Sequence, residues 1–173
     1  MIASEIPLSL YVHWPWCVRK CPYCDFNSHA LPQKDLTHAY IDALIADLEK
    51  SVPLAANRPL ISIFIGGGTP SLIAPQELER FLNAVFSHFK TNPDIEITLE
   101  ANPGTVDTAH FKAYRELGIN RLSMGIQSFN DTLLKRLGRI HNREEALRAI
   151  RIAQETFENF NLDVMFALPG QTL

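Results

Sequence analysis

The sequence predicts an α/β fold built on a parallel sheet, either rolled into a barrel-like shape or left open. Three observations predict it. Strand-like and helix-like segments alternate every few tens of residues, the pattern of repeated βα units. The strand-like runs are short and apolar, as in a sheet covered by helices. Glycine, proline, amide and carboxylate residues collect just after those runs, and in such folds ligands gather at the C-terminal ends of the strands.

Leu8–His13 reads as the first strand and Ile61–Ile65 as the second, the latter apolar enough to be buried on both faces. Ile95–Glu100, Arg121–Gly125 and Leu162–Leu168 supply three more. Between the first two, Leu36, Tyr40, Ile41, Leu44, Ile45 and Leu48 give a helix one apolar face. Leu78, Phe81, Leu82, Val85, Phe86 and Phe89 do the same for a second helix, with Pro75 suited to its first turn. Phe111, Tyr114 and Leu117 precede Gly118, a stop signal. Asn142 and Glu145 have the spacing of a capping box, followed by Ala146, Ile150, Ala153 and Phe157 on one face.

A chain of 173 residues is long enough for one domain with a substantial core. Its formal charge of -3 offers no basic excess for a phosphate backbone, which argues against nucleic acid as a partner. No segment approaches the ~20 apolar residues of a membrane span, and the N-terminus lacks a signal-peptide pattern. A cytoplasmic protein is expected, with no membrane span.

Cys17, Cys21 and Cys24 fall within eight residues, an odd and crowded set that suits metal binding better than disulfides. Three thiolates on one loop after the first strand can wrap one face of an iron-sulfur cube and leave one iron open to an exogenous ligand. A structural zinc module completed by His13 or His29 is the competing reading of the same spacing. Gly66-Gly67-Gly68-Thr69-Pro70 follows the second strand and by itself reads as a tight turn. Taken singly, Arg139 is a solvated cation and Asp163 a capping residue.

The segment Tyr11-x-His13-x-Pro15-x-Cys17-x-x-x-Cys21-x-x-Cys24 resembles the opening of radical S-adenosylmethionine proteins of the HemN/HemW group. The resemblance extends through Gly66–Pro70, Glu100, Gln127, Arg139, Asp163 and Leu168-Pro169-Gly170, in that order. It implies a partial (β/α)6 barrel with five of the six parallel strands in this chain. Residues 1–173 would form a core domain incomplete at its C-terminal end, lacking a sixth strand and a further domain. It also implies a 4Fe-4S cluster on Cys17, Cys21 and Cys24, and S-adenosylmethionine held by Tyr11, Phe26, Gly67, Gly68, Thr69, Glu100, Gln127, Arg139 and Asp163. Arginine suits a carboxylate, while the carboxylates and the amide suit an ammonium or ribose hydroxyls; which takes which stays open. Tyr23 and Phe26 could stack on adenine or shield the cluster. His13 could brace the cysteine loop or touch a ligand, and Trp14 and Trp16 would fix the loop's approach. The chemistry implied is electron transfer from the cluster to the sulfonium and homolysis of a carbon-sulfur bond.

Two functions occur in the group: an oxygen-independent coproporphyrinogen III oxidase of porphyrin biosynthesis, and a HemW-type chaperone that binds heme and passes it to an acceptor protein. The oxidase pattern has a further cysteine two residues beyond the third ligand. This chain has Phe26 there, and Cys24–Ser28, Glu100–Gly104 and Leu137–His141 look like the chaperone. The resemblance therefore implies heme as bound cargo rather than a porphyrinogen as substrate, and assigns no catalytic side chain.

Overall fold

A computed structural model describes residues 6–172. Its main sheet has five strands, all parallel: β1 (Leu8–Trp14), β4 (Leu60–Gly67), β5 (Thr91–Ala101), β6 (Arg121–Gln127) and β7 (Asn159–Val164), in that spatial order. Two-residue strands β2 (Trp16–Cys17) and β3 (His29–Ala30) pair with each other and close the cysteine loop at its base. Helices α1 (Thr37–Ser51), α2 (Pro75–His88), α3 (Thr108–Glu116), α4 (Asp131–Arg136) and α5 (Arg143–Thr156) fill the crossovers. Parallel neighbours in chain order with helical crossovers make this the expected partial barrel.

Local chemistry sets the helix ends. Pro75 occupies the first turn of α2, where its missing N–H costs nothing. Asp107 caps α3 by accepting from the Ala109 and His110 amides, and Asn142 and Glu145 form the complete capping box of α5. Gly118 ends α3 at φ +97°.

The strands alternate sharply. Val12, Trp14, Ile63, Ile65, Ile97, Leu99, Leu122, Met124 and Ile126 join Ile41, Leu78, Phe81, Val85, Phe111, Tyr114 and Ile152 from the helices in one core. The other face carries Ser9, Ser62, Glu96, Thr98, Glu100, Arg121, Ser123, Asn161 and Asp163. This polar side corrects the expectation that the second strand is apolar on both faces. Ser62 and Phe64 of β4 are only half-buried on it, because no helix covers the barrel's inner side.

Two boundaries also move. β5 begins at Thr91, with exposed Asn92–Asp94 leading into its buried half. The last strand spans Asn159–Val164 rather than Leu162–Leu168. Its pairing with β6 shifts at a bulge between Gly125 and Gln127 and ends one pair later, at Gln127 and Val164; Phe166 beyond it is 87% exposed.

Candidate functional site

The cysteine loop is anchored at several points. The Trp16–Cys17 and His29–Ala30 ladder clamps its ends, the Cys24 amide donates to the Cys21 carbonyl at 3.1 Å, and the Leu31 amide to the Cys17 carbonyl at 2.9 Å. His13 braces it from β1: Nε2 donates to the Asn27 carbonyl at 2.8 Å, which leaves Nδ1 bare to accept the Tyr11 hydroxyl at 2.9 Å. Trp14, Trp16 and Tyr40 meet edge to face, with centroids 4.8–5.7 Å apart, and hold the chain as it enters the loop. All three cysteines are free thiols.

The glycine run locks onto the same entry. Amides of Gly68 and Thr69 donate to the Trp14 and Trp16 carbonyls at 2.5 and 2.8 Å. A Cβ on Gly68 would lie 2.6 Å from the Trp16 carbonyl oxygen, and one on Gly67, at φ +113°, 2.6 Å from the His13 ring. The glycines therefore serve the close approach of two loops as well as any ligand.

Five strand ends then deliver side chains to one cleft enclosing about 700 Å³, its open mouth included. Cys17, Cys21, Cys24 and Phe26 line it from the cysteine loop, and Gly67, Gly68 and Thr69 from the β4 loop. Glu100, Gln127 and Asp163 close it from β5, β6 and β7, with Arg139 from the segment after α4. Tyr11 is the one candidate outside: 58% exposed, it stacks on Phe64 and reaches the loop only through His13. Phe26 lines the rim at 59% exposure. Tyr23, the other ring that could stack on adenine or shield the cluster, is the better placed of the two. Its hydroxyl lies 3.5 Å from Arg139, and burial outweighs that cation to push it up to about 12. Asn102, within the Glu100–Gly104 strand-end segment, also lines the cleft, as does Ser123, which has no sequence signal beyond period-two alternation.

The charged groups are held, not free. Glu100 accepts from the Gly67 amide at 2.9 Å. Burial holds its carboxyl above the ordinary glutamate range, the amide opposing this and the Asp163 charge adding to it. Arg139 donates to the Gly125 carbonyl at 2.5 Å and reaches Cys21 Sγ at 3.5 Å, while its buried Nε finds no partner among the described residues. Gln127 sits at φ +65°, a left-handed conformation uncommon for a residue with a side chain, immediately beside the bulge. His141, fully buried behind Asn102 and the Ile126 carbonyl, is pushed down to about 4 by burial and then by the Arg139 charge, so it stays neutral at pH 7.

A folded-state Glu100 pKa raised above 4.5 means the folded chain binds this proton more tightly than the unfolded chain. That contribution is complete below the unfolded value and is lost as pH rises through the folded one. Glu100→Gln is therefore expected to melt higher than the parent at neutral pH in the cofactor-free state, with the gap closing as pH falls. Melting curves from about pH 4 to about pH 8 measure this; a variant less stable at every pH would show that the charge is compensated.

Among the described residues, no three histidine, cysteine or carboxylate side chains converge on a point that one metal ion could occupy. With the glycine cradle and the unpartnered Arg139 Nε, the residues fit a cluster with a small ligand beside it.

The comparisons agree with this geometry. The model of the Radical SAM superfamily matches residues 11–173. The heme chaperone HemW of Haemophilus influenzae is 52% identical over 172 residues, covering 96% of this chain and 45% of the relative. HemW of Escherichia coli is 50% identical, covering 96% and 44%. The chain thus spans less than half the length of these relatives. The solved coproporphyrinogen III oxidase HemN of Escherichia coli superposes with a TM-score of 0.89 at 34% identity, covering 98% of this chain and 39% of that one. Five parallel strands, a three-cysteine loop after the first and a polar cleft at their C-terminal ends account for the match: the chain belongs to the Radical SAM superfamily.

Proposed function

We propose that Cys17, Cys21 and Cys24 hold a 4Fe-4S cluster, that the cleft beside it binds S-adenosylmethionine, and that the whole protein is a cytoplasmic heme chaperone of the HemW type. On this reading the chain is a radical SAM core domain. The observation that carries the cofactor assignment is the gathering of the three thiols, Gly67–Thr69, Glu100, Gln127, Arg139 and Asp163 from distant parts of the sequence around one cleft. When bound, the cluster and cofactor supply reductive cleavage of a carbon-sulfur bond. The protein's part is to orient the cofactor. Arg139 provides the cation for its carboxylate, the acidic pair Glu100 and Asp163 the acceptors for its ammonium or ribose hydroxyls, and the fixed glycine loop a surface without side chains. Among the described residues no helix is long and apolar enough to cross a membrane.

Two things support the chaperone over the oxidase: relatives about half identical that bear that name, and Phe26 where the oxidase pattern has its extra cysteine. The likeness to HemN keeps the oxidase as the second reading. One set of measurements tests both. The natural protein, reconstituted anaerobically, is expected to bind heme and to leave coproporphyrinogen III unchanged; turnover of the porphyrinogen would reverse the order. In the same preparation, S-adenosylmethionine is expected to alter the electron paramagnetic resonance spectrum of the reduced cluster. Arg139→Ala should weaken cofactor binding by about 1.5–3 kcal/mol, the value of a hydrogen bond to a charged partner. An unchanged spectrum would refute the open iron.

A further inference from the structure

Behind the cleft, a hydrogen-bonded row runs from Asp163 down the inner face of the sheet. Asn161 Nδ2 donates to Asp163 Oδ1 at 2.9 Å and to Ser123 Oγ at 3.1 Å, and Ser123 Oγ donates to Asp163 Oδ2 at 3.4 Å. Asn161 Oδ1 accepts from an Arg121 terminal nitrogen at 2.8 Å. Arg121 is itself fixed by Thr98 Oγ1 at 3.2 Å and by Glu96 at 3.7 Å. Strand register builds the row, since Ser123 pairs with Asn161 and Arg121 with Thr98 on neighbouring strands.

The polarity of the row is forced. A guanidinium can only donate, so the oxygen of the Asn161 amide must face it. The NH2 end is then left to face Ser123 and Asp163. Each Asp163 oxygen receives one donor from below and keeps lone pairs for the cleft, which that residue lines. Without this arrangement, an exposed aspartate near the end of β7 would have several rotamers and would lose their entropy on each binding event.

We propose that Asn161, locked by Arg121, is a positioning residue that presents the Asp163 carboxylate to the bound cofactor. This rests on the cleft being the S-adenosylmethionine site. The row is more than a cross-strand polar ladder of the ordinary stabilising kind. A ladder would affect only the fold; a positioning device acts through one carboxylate, and that difference is measurable.

The test is a double-mutant cycle on the anaerobically reconstituted natural protein. Affinity for S-adenosylmethionine is read by calorimetry and stability by melting without the cofactor. Asn161→Leu is expected to weaken binding about tenfold. In an Asp163→Ala background the same change should alter affinity by less than about twofold, because the carboxylate it positions is gone. Ser62→Ala, whose hydroxyl meets only Ser9 at the far end of the same face, should leave affinity unchanged. An equal loss in both backgrounds, or none in the first, overturns the proposal. If Asn161→Leu fails to fold, Arg121→Met and Arg121→Lys carry the same test. Methionine frees the amide to turn over and weakens binding, while lysine still donates and preserves it; equal affinities would overturn the proposal. A parent protein that binds no S-adenosylmethionine removes the cofactor reading itself and the positioning role with it, an outcome visible before any variant is made.

Discussion

Replacing Cys21 by alanine is expected to abolish the visible absorption of the reconstituted protein and reduce bound iron from about four per chain to near zero. The effect is all-or-none because two thiolates cannot hold a cube against solvent and chelators. The fold is expected to survive. The ends of the loop are clamped by the Trp16–Cys17 and His29–Ala30 ladder and by His13, none of which uses the Cys21 side chain. The contacts of Cys21 Sγ with Arg139, at 3.5 Å, and with the Tyr23 hydroxyl are lost, and sulfur is a weak hydrogen-bonding partner. Iron, acid-labile sulfide and zinc measured on parent and variant decide the matter. One equivalent of zinc in the parent, without sulfide, would replace the cluster reading by the structural zinc module.

The five strands of the main sheet and four of the helices were legible because period-two and period-3.6 patterns report burial directly, and burial is what builds those elements. Helix α4 was missed for the converse reason. It is six residues long and buries only Leu133 and Leu134, too few to establish a period; its signal was the Asn130 cap and Gly138 stop. The frame of β7 slipped because Met165–Leu168 are as apolar as strand residues, while the ladder stops one pair past the bulge on the neighbouring strand, a tertiary fact. At the site, residue identities could be read but not their present partners. Arg139, expected to await a carboxylate, holds a backbone carbonyl, a thiol and a phenol, and Tyr11 lies outside the cleft it was expected to line, joined to the cysteine loop through His13. The row behind Asp163 was invisible because Arg121, Ser123, Asn161 and Asp163 look like ordinary polar positions on alternating strands until register joins them.

Alanine at three glycines should cost stability in a fixed order, with Gly67 worst, Gly68 next and Gly118 least. At Gly118 the space is open, the nearest atom to a new Cβ being 3.9 Å away, so the cost is the left-handed backbone alone, about 1–2 kcal/mol. Gly68 has an unstrained φ, but its Cβ would meet the Trp16 carbonyl oxygen at 2.6 Å. That oxygen cannot retreat, because it already accepts the Thr69 amide at 2.8 Å, so the overpacking cost of about 1–3 kcal/mol is reached at its upper end. Gly67 combines both penalties, φ +113° with contacts of 2.6 Å to the His13 ring and 2.9 Å to the Trp14 carbonyl, for a sum of roughly 2–5 kcal/mol. That is a large share of a domain stability of about 5–15 kcal/mol. Displacing His13 would also release the Asn27 carbonyl that it ties to the cysteine loop. Gly67→Ala should therefore lose iron on reconstitution at temperatures where it remains folded, whereas Gly118→Ala should lose none. Urea unfolding of the cofactor-free variants gives the order, and iron content gives the coupling. A Gly67→Ala protein as stable as Gly118→Ala and fully loaded with iron would mean that the glycine loop and the cysteine loop are not mechanically joined.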